Sequence, residues 1–207
     1  MNLLVITQKV DKSDPDLGFF HTWLEKLAKQ VEQLTVICLE KGEYALPSNV
    51  MVLSLGKEYR ISHTAYLLSF YRYIFQYRKQ YNGVFVHMNP EYVILGGLLW
   101  RILGKKVLLW YTHKAVNWRL RLAAVFANKI FTASKESCRI QSNKVQIVGH
   151  GIDVSVFHLR GQLEPGNPVK LLWVGRISPV KDLETVMLAM EKIKKMNLPV
   201  SLDIVGT

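Results

Sequence analysis

The stretch LLWVGRISPVKD, Leu171 to Asp182, decides how the chain is read. LLWV is a short, continuously apolar run, as expected of a strand covered on both faces. Gly175 ends it. Ser178 suits an N-cap and Pro179 the first helical position, so a helix is expected to start there and to run from Lys181 to Met196. Leu183, Val186, Met187, Met190 and Ile193 fall on one face of that helix, and SLDIVG follows as a second strand. Strand, helix and strand in this order predict a parallel α/β unit.

Such a helix would carry Lys181 in its first turn, where a cation faces the positive end of the macrodipole at a cost of ~0.3–1 kcal/mol. A ligand gives the residue a purpose. In open α/β sheets, ligands bind beyond the carboxyl ends of the strands, where Gly175 and Arg176 are placed. Free N–H groups of the helix favour an anion. A bound diphosphate would offset the repulsion between Arg176 and Lys181, with Asp182 and Glu184 compensating in part when it is absent. The residues alone leave open a surface lysine in a first turn.

Upstream, the same grammar repeats. LLVIT (Leu3 to Thr7), LTVICL, VMVLSL, VFVHM, KVLLWY, KIFTAS and VQIVG are strand candidates rich in Val, Ile and Leu. Helical patterns lie between several of them, beginning with Phe20, Trp23, Leu24, Leu27 and Val31. A doubly wound, Rossmann-like parallel sheet is the predicted fold class. HLRGQLEPGNPV, with two prolines and two glycines, reads as a linker. The expected organisation is a first domain over 1–157, a linker over 158–169, and over 170–207 the opening part of a second Rossmann-like domain, with the natural protein continuing past Thr207.

Composition narrows the function. Hydrophobic residues make up 49% of the 207, enough for one large domain or one domain and part of another. Two cysteines, Cys38 and Cys138, form neither a disulfide framework nor a metal set. NLLVITQ lacks the basic leader of a signal peptide. The longest apolar span, Tyr92 to Trp100, is far short of the ~20 residues a membrane helix needs. A soluble or membrane-surface protein is expected. Between Tyr59 and Lys135 stand twelve Lys/Arg and one acid, Glu91, a bias that calls for an anionic partner or a solvated basic face.

GHGID (Gly149 to Asp153), Phe157, the linker, LLWVGRISPVKDLETVMLAM and LDIVG carry a resemblance, spanning the chain, to the group 1, retaining glycosyltransferases of GT-B fold. The resemblance implies two Rossmann-like domains closing over a nucleotide-sugar. It implies that Arg176 and Lys181 bind the donor diphosphate, so that side chains neutralise the leaving group and no metal or other cofactor is needed. The family's glycine-rich loop after the first strand corresponds to QKVDKSDPDLGFF, in which Gly18 is the single glycine. The family's histidine near the transferred sugar corresponds to His113 in WYTHK, the candidate catalytic residue. His113 also follows KVLLWY, at a strand's carboxyl end. The second domain's later paired-glutamate motif is not among these residues, so the 207-residue chain alone is expected to be inactive or nearly so.

Other signals are set lower. His87, ending VFVHM, is open between a structural and an acceptor-side role; His21, His63 and His158 are read as ordinary. Gly151 and Asp153 are read as shaping the backbone. Asp14-Pro15-Asp16 mimics a metal-binding D-x-D but reads as turn chemistry. The aromatic segment Tyr59 to Asn82 holds six of the nine tyrosines, and Leu67, Phe70, Tyr71, Ile74, Tyr77 and Tyr81 fall near one helical face. Its outer face, with the Arg101 to Arg121 region, suits anionic lipid or a lipid-linked phosphate. The function expected is transfer of a sugar from a nucleotide-sugar to a sugar or lipid-linked acceptor, in polysaccharide or glycolipid synthesis. The expected place is the cytoplasm, peripheral on the inner membrane face. The alternative is a non-catalytic module for anionic lipid or polymer built on half of a GT-B fold. Nucleic-acid binding rests on charge alone, without a reading motif, and is not expected.

Overall fold

The computed structural model describes residues 1–152 and 168–206. The chain divides into two compact units, Met1–Gly151 and Ile152–Thr207. Asp153, Phe157, His158 and the linker residues 158–167 lie outside the described residues.

In the first unit all seven candidate runs are strands: β1 (Asn2–Val10), β2 (Gln33–Lys41), β3 (Val50–Ser54), β4 (Gly83–His87), β5 (Lys106–Trp110), β6 (Lys129–Thr132) and β7 (Val145–Ile147). They form one parallel sheet in the order β3-β2-β1-β4-β5-β6-β7. The order reverses between β1 and β4. At such a switch point the loops leaving the carboxyl ends diverge and open a crevice.

Helices α1 (Gly18–Ala28), α2 (His63–Gln76), α3 (Pro90–Ile102) and α4 (Trp118–Phe126) cover the two faces unequally. Side chains alternate along a strand, so each strand feeds two cores. Leu3, Val5, Leu34, Val36 and Cys38 meet Phe20, Leu24 and Ala28 of α1. Leu4, Ile6, Ile37, Val84, Val86, Val107, Leu109 and Ile130 face the other way, onto Phe70, Ile74, Val93, Trp100 and Leu120 of α2, α3 and α4. Burial on both faces is the reason these strands lack polar alternation.

The aromatic segment folds into less helix than its periodicity suggests. Arg60 takes a left-handed φ of 54°, Ser62 caps α2 by accepting from Ala65 N (3.3 Å), and the helix ends at Gln76. Phe70 and Ile74 are buried, but Leu67 and Tyr71 of the same expected face stay exposed. Tyr81, beyond the helix, is fully buried and donates its hydroxyl to Ile74 O (2.9 Å). Cys38 and Cys138 are both free and buried, and burial pushes the Cys38 thiol up to about 12.

The second unit contains β8 (Val169–Val174), α5 (Leu183–Lys195) and β9 (Val200–Val205). The strands pair in parallel from Val169 opposite Val200 to Val174 opposite Val205. Here the expected start of the helix is corrected. Pro179–Lys181 is a separate 3-10 turn, and α5 begins at Leu183. The N-cap is Asp182, at a left-handed φ of 48°, whose carboxylate accepts from Thr185 N (3.3 Å) and from Thr185 Oγ1 (2.9 Å). Ser178 caps nothing; its hydroxyl reaches Arg176 O at 3.5 Å. Two cap residues compete within five positions, and the charged one starts the helix. Lys181 therefore stands outside α5, and the cost assigned to a cation inside its first turn does not apply.

Among the described residues no helix is long and apolar enough to cross a membrane.

Candidate functional site

The loop leaving β1 is closed by charge. Lys9 Nζ lies 3.0 Å from Asp14, 3.0 Å from Glu40 and 3.5 Å from Asp11. The N–H of Leu17, then the Lys9 ammonium, hold the Asp14 carboxyl below its usual range. Asp14 Oδ1 also accepts from Asp16 N (3.0 Å), which is turn chemistry. Gly18 opens α1, its N–H on Asp14 O (2.9 Å). A methyl group there would sit 3.1 Å from Lys12 O, so glycine lets the loop close against the helix. No side chain caps this helix and no acid stands in its first turn.

His113 is exposed, three residues past β5. Its Nδ1 accepts from Ala115 N (3.1 Å), and Tyr111 donates its hydroxyl to Ala115 O (3.0 Å). An accepting Nδ1 places the proton of the neutral ring on Nε2, which is then a donor.

His87 resolves as structural. It shares the parity of Phe85 and so turns toward α1, where the Phe20 ring stacks on it at 4.0 Å. Thr7 Oγ1 lies 3.3 Å from its Nδ1. It is 2% exposed, and burial lowers it from 6.5 to about 4. The unfolded chain then binds a proton below pH 6.5 that the folded one refuses until about 4. Stability therefore falls as pH drops through that window, by about 3 kcal/mol in all. Urea midpoints between pH 7 and 4 should show this slope, and His87→Leu should flatten it. An equal slope in the variant would remove His87 as its source.

His21 is likewise structural: Nε2 accepts from Ala45 N (3.1 Å), and Nδ1 lies 3.5 Å from Glu25. His63 is exposed and lines a cavity of about 450 Å³ with Gln8, Tyr66, Asn89, Glu91 and Tyr92. Asn89 is the N-cap residue of α3, yet its side chain makes no cap bond, and its buried Nδ2 has no partner. Met88, just before it, holds a left-handed φ of 67° with Thr112 Oγ1 on its sulfur (3.1 Å). A non-glycine residue in this region is strained. An orphan amide donor at a cavity wall invites a hydroxyl or carbonyl acceptor. Sequence reasoning missed it, because Asn-Pro before an apolar run reads as an ordinary helix start.

In the second unit, Gly175 N donates to Val205 O (3.0 Å), ending the ladder. Lys181 folds back: its Cδ lies 3.7 Å from where a Cβ on Gly175 would be, with the Trp173 ring at 3.4 Å. Arg176 follows directly. The 3-10 turn, with Lys181 N on Ser178 O (2.9 Å), brings the two cations to one strand end. Both are exposed, and among the described residues neither pairs with a carboxylate. Gly149 and Gly151, flanking His150, hold left-handed φ of 77° and 63°, a conformation that favours glycine.

No protein-family model matches the sequence, and no curated protein does. Solved structures do resemble it. HepE of Anabaena, solved with UDP, matches with a TM-score of 0.59 and 14% identity over 99% of this chain and 69% of that one. UDP-GlcNAc 2-epimerase of Methanocaldococcus jannaschii matches at 0.55 and 14%, over 99% and 66%. MurG of Acinetobacter baumannii matches at 0.50 and 13%, over 98% and 65%. Likeness at such identities speaks to architecture: the chain has a Rossmann-like α/β fold of the GT-B type.

Proposed function

We propose that the protein is a glycosyltransferase whose second unit grips the diphosphate of a nucleotide-sugar, UDP-linked by analogy with HepE, which was solved with UDP and with UDP-glucose. The carrying observation is Lys181 lying across Gly175 beside Arg176 at the carboxyl end of β8. When the sugar–diphosphate bond breaks, negative charge develops on the departing UDP. Two cations at that strand end stabilise it without a metal. By the family resemblance, Gly18 is assigned a phosphate contact and His113 a contact with the sugar, through its Nε2–H. An acceptor hydroxyl, on a sugar or a lipid-linked saccharide, bonds to the anomeric carbon with retention as the bond to UDP breaks, and its proton passes to the departing diphosphate oxygen. The setting is synthesis of a cell-surface polysaccharide or glycolipid, with the enzyme peripheral to the inner face of the membrane.

The test is titration with UDP, pyrophosphate and uridine, followed by amide NMR shifts. UDP and pyrophosphate should move Gly175 and Arg176, and uridine should not. Lys181→Ala should weaken UDP roughly 10-fold, the worth of one charge-assisted bond. UDP that binds the variant as tightly as the parent would end this reading. Release of UDP from UDP-sugars, against isomerisation of the sugar with UDP retained, separates a transferase from an epimerase.

A further inference from the structure

The three helices on the crowded side of the sheet carry an outer face that no core uses. On α2, Leu68 and Phe75 are 71% and 54% exposed; on α3, Leu98 and Ile102 are 60% and 74%; on α4, Trp118 is 65%. The helices are tied side by side. Tyr71 OH donates to Leu95 O (3.1 Å), Arg101 Nη1 to Val125 O (3.2 Å), and Arg119 pairs with Glu91 (3.2 Å). These side chains therefore belong to one continuous surface rather than to isolated spots. Contiguous exposed apolar area of this kind marks an interaction site.

Charge selects the partner. Twelve of the 27 Lys/Arg and one of the 16 acids lie between Tyr59 and Lys135, so this stretch carries the whole formal +11 and the remaining residues balance. The one acid, Glu91, is taken by Arg119. Arg72, Lys79 and Arg121 are exposed and make no ion pair among the described residues. Arginines also ride on the aromatic rings: Arg78 stands 4.1 Å over Phe75, and Arg119 5.5 Å over Trp118. Apolar side chains, arginine-capped aromatics and unpaired cations on one face are what an anionic bilayer surface binds. A second copy of the chain would set like charges against like.

We propose that the outer face of α2, α3 and α4 docks on an anionic lipid bilayer. The proposal deepens the membrane placement in the proposed function and is independent of its donor chemistry. It also gives the cavity at Asn89 a direction. Leu67 and Leu95 line that cavity and are themselves exposed, at 40% and 36%. A lipid-linked head group could thus reach Asn89 and Tyr92 from a membrane lying on this face.

The experiment is co-sedimentation of the full chain with vesicles of phosphatidylcholine alone or with 30 mol% phosphatidylglycerol. Sedimentation is expected with the anionic vesicles only, falling with salt. Arg72→Gln, Lys79→Gln and Arg121→Gln together should lower the partition coefficient on the order of 10- to 100-fold. Leu98→Ser with Ile102→Ser should lower it at least about 10-fold, with unfolding midpoints unchanged because both residues are exposed. Equal binding to neutral vesicles, no binding at all, or binding untouched by both variants overturns the proposal. So does a dimer in sedimentation velocity that Leu98→Ser and Ile102→Ser dissolve. UDP affinity, measured on the same variants, should not change; its loss elsewhere would count against the donor site and leave this face standing.

Discussion

Gly206→Ala should lower UDP affinity on the order of 100-fold while leaving unfolding of the first unit unchanged. Gly206 follows β9, and a methyl group there would overlap the carbonyl oxygen of Gly175. That oxygen is backbone, on a residue whose own N–H makes the last rung of the ladder, to Val205 O at 3.0 Å. A flexible side chain could step aside, but this peptide cannot move without taking Arg176 with it. The same shift removes the surface on which Lys181 rests, since its Cδ lies against Gly175. Both cations are displaced by one methyl group, so the loss should approach that of removing two charge-assisted bonds. Heteronuclear spectra should show shifts at residues 173–176 and 181, with the β4 and β5 amides unmoved. Unaltered UDP affinity would mean that the diphosphate is held elsewhere.

The sheet was legible because burial on both faces writes apolar runs into the sequence, and each of the seven runs became a strand. The side toward which His87 turns was also written there. It shares the parity of Phe85, opposite to Val84 and Val86, which alone points it at the helix after β1. The start of α5 was not legible, because Ser178 with Pro179 and Asp182 with Thr185 are both valid openings. Only the fold shows that the carboxylate makes the bond. The consequence for Lys181 is specific: its place is set by a 3-10 turn that folds it over Gly175, not by a tolerated penalty inside a helix. Gly206 reads in sequence as any glycine ending a strand. Its necessity comes from the parallel register of two strands 31 positions apart, Val169 with Val200. Asn89 likewise has no distinguishing signal, since a capping and a non-capping asparagine are spelled the same.

Trp100→Ala should cost the first unit about 4 kcal/mol of unfolding free energy. Trp100 is fully buried at the centre of the α2–α3 side of the sheet, with the Phe70 ring edge-on at 6.1 Å. Its Nε1 donates to Tyr81 OH (3.1 Å), which in turn donates to Ile74 O (2.9 Å). The chain of bonds joins α3 to the segment that leaves α2, and it satisfies the polar atoms that two large aromatics carry into the core. Alanine would open a cavity that the sheet cannot fill and leave Tyr81 OH with one partner fewer. Trp100→Phe separates the two contributions: it keeps most of the apolar contact and should cost only ~1–2 kcal/mol, chiefly the lost N–H. Gly96 lies one turn earlier on α3, directly beneath the Trp100 ring, so Gly96→Ala should push the same ring aside. In the double variant Gly96→Ala with Trp100→Ala, the added methyl would enter the vacated space, and the two costs should fall short of their sum. Urea unfolding with an unchanged slope is the measurement. Additive costs, or a loss below ~1 kcal/mol for Trp100→Ala, would mean that the ring does not hold α2 and α3 together. In that case the outer face these helices present would need another cause for its continuity.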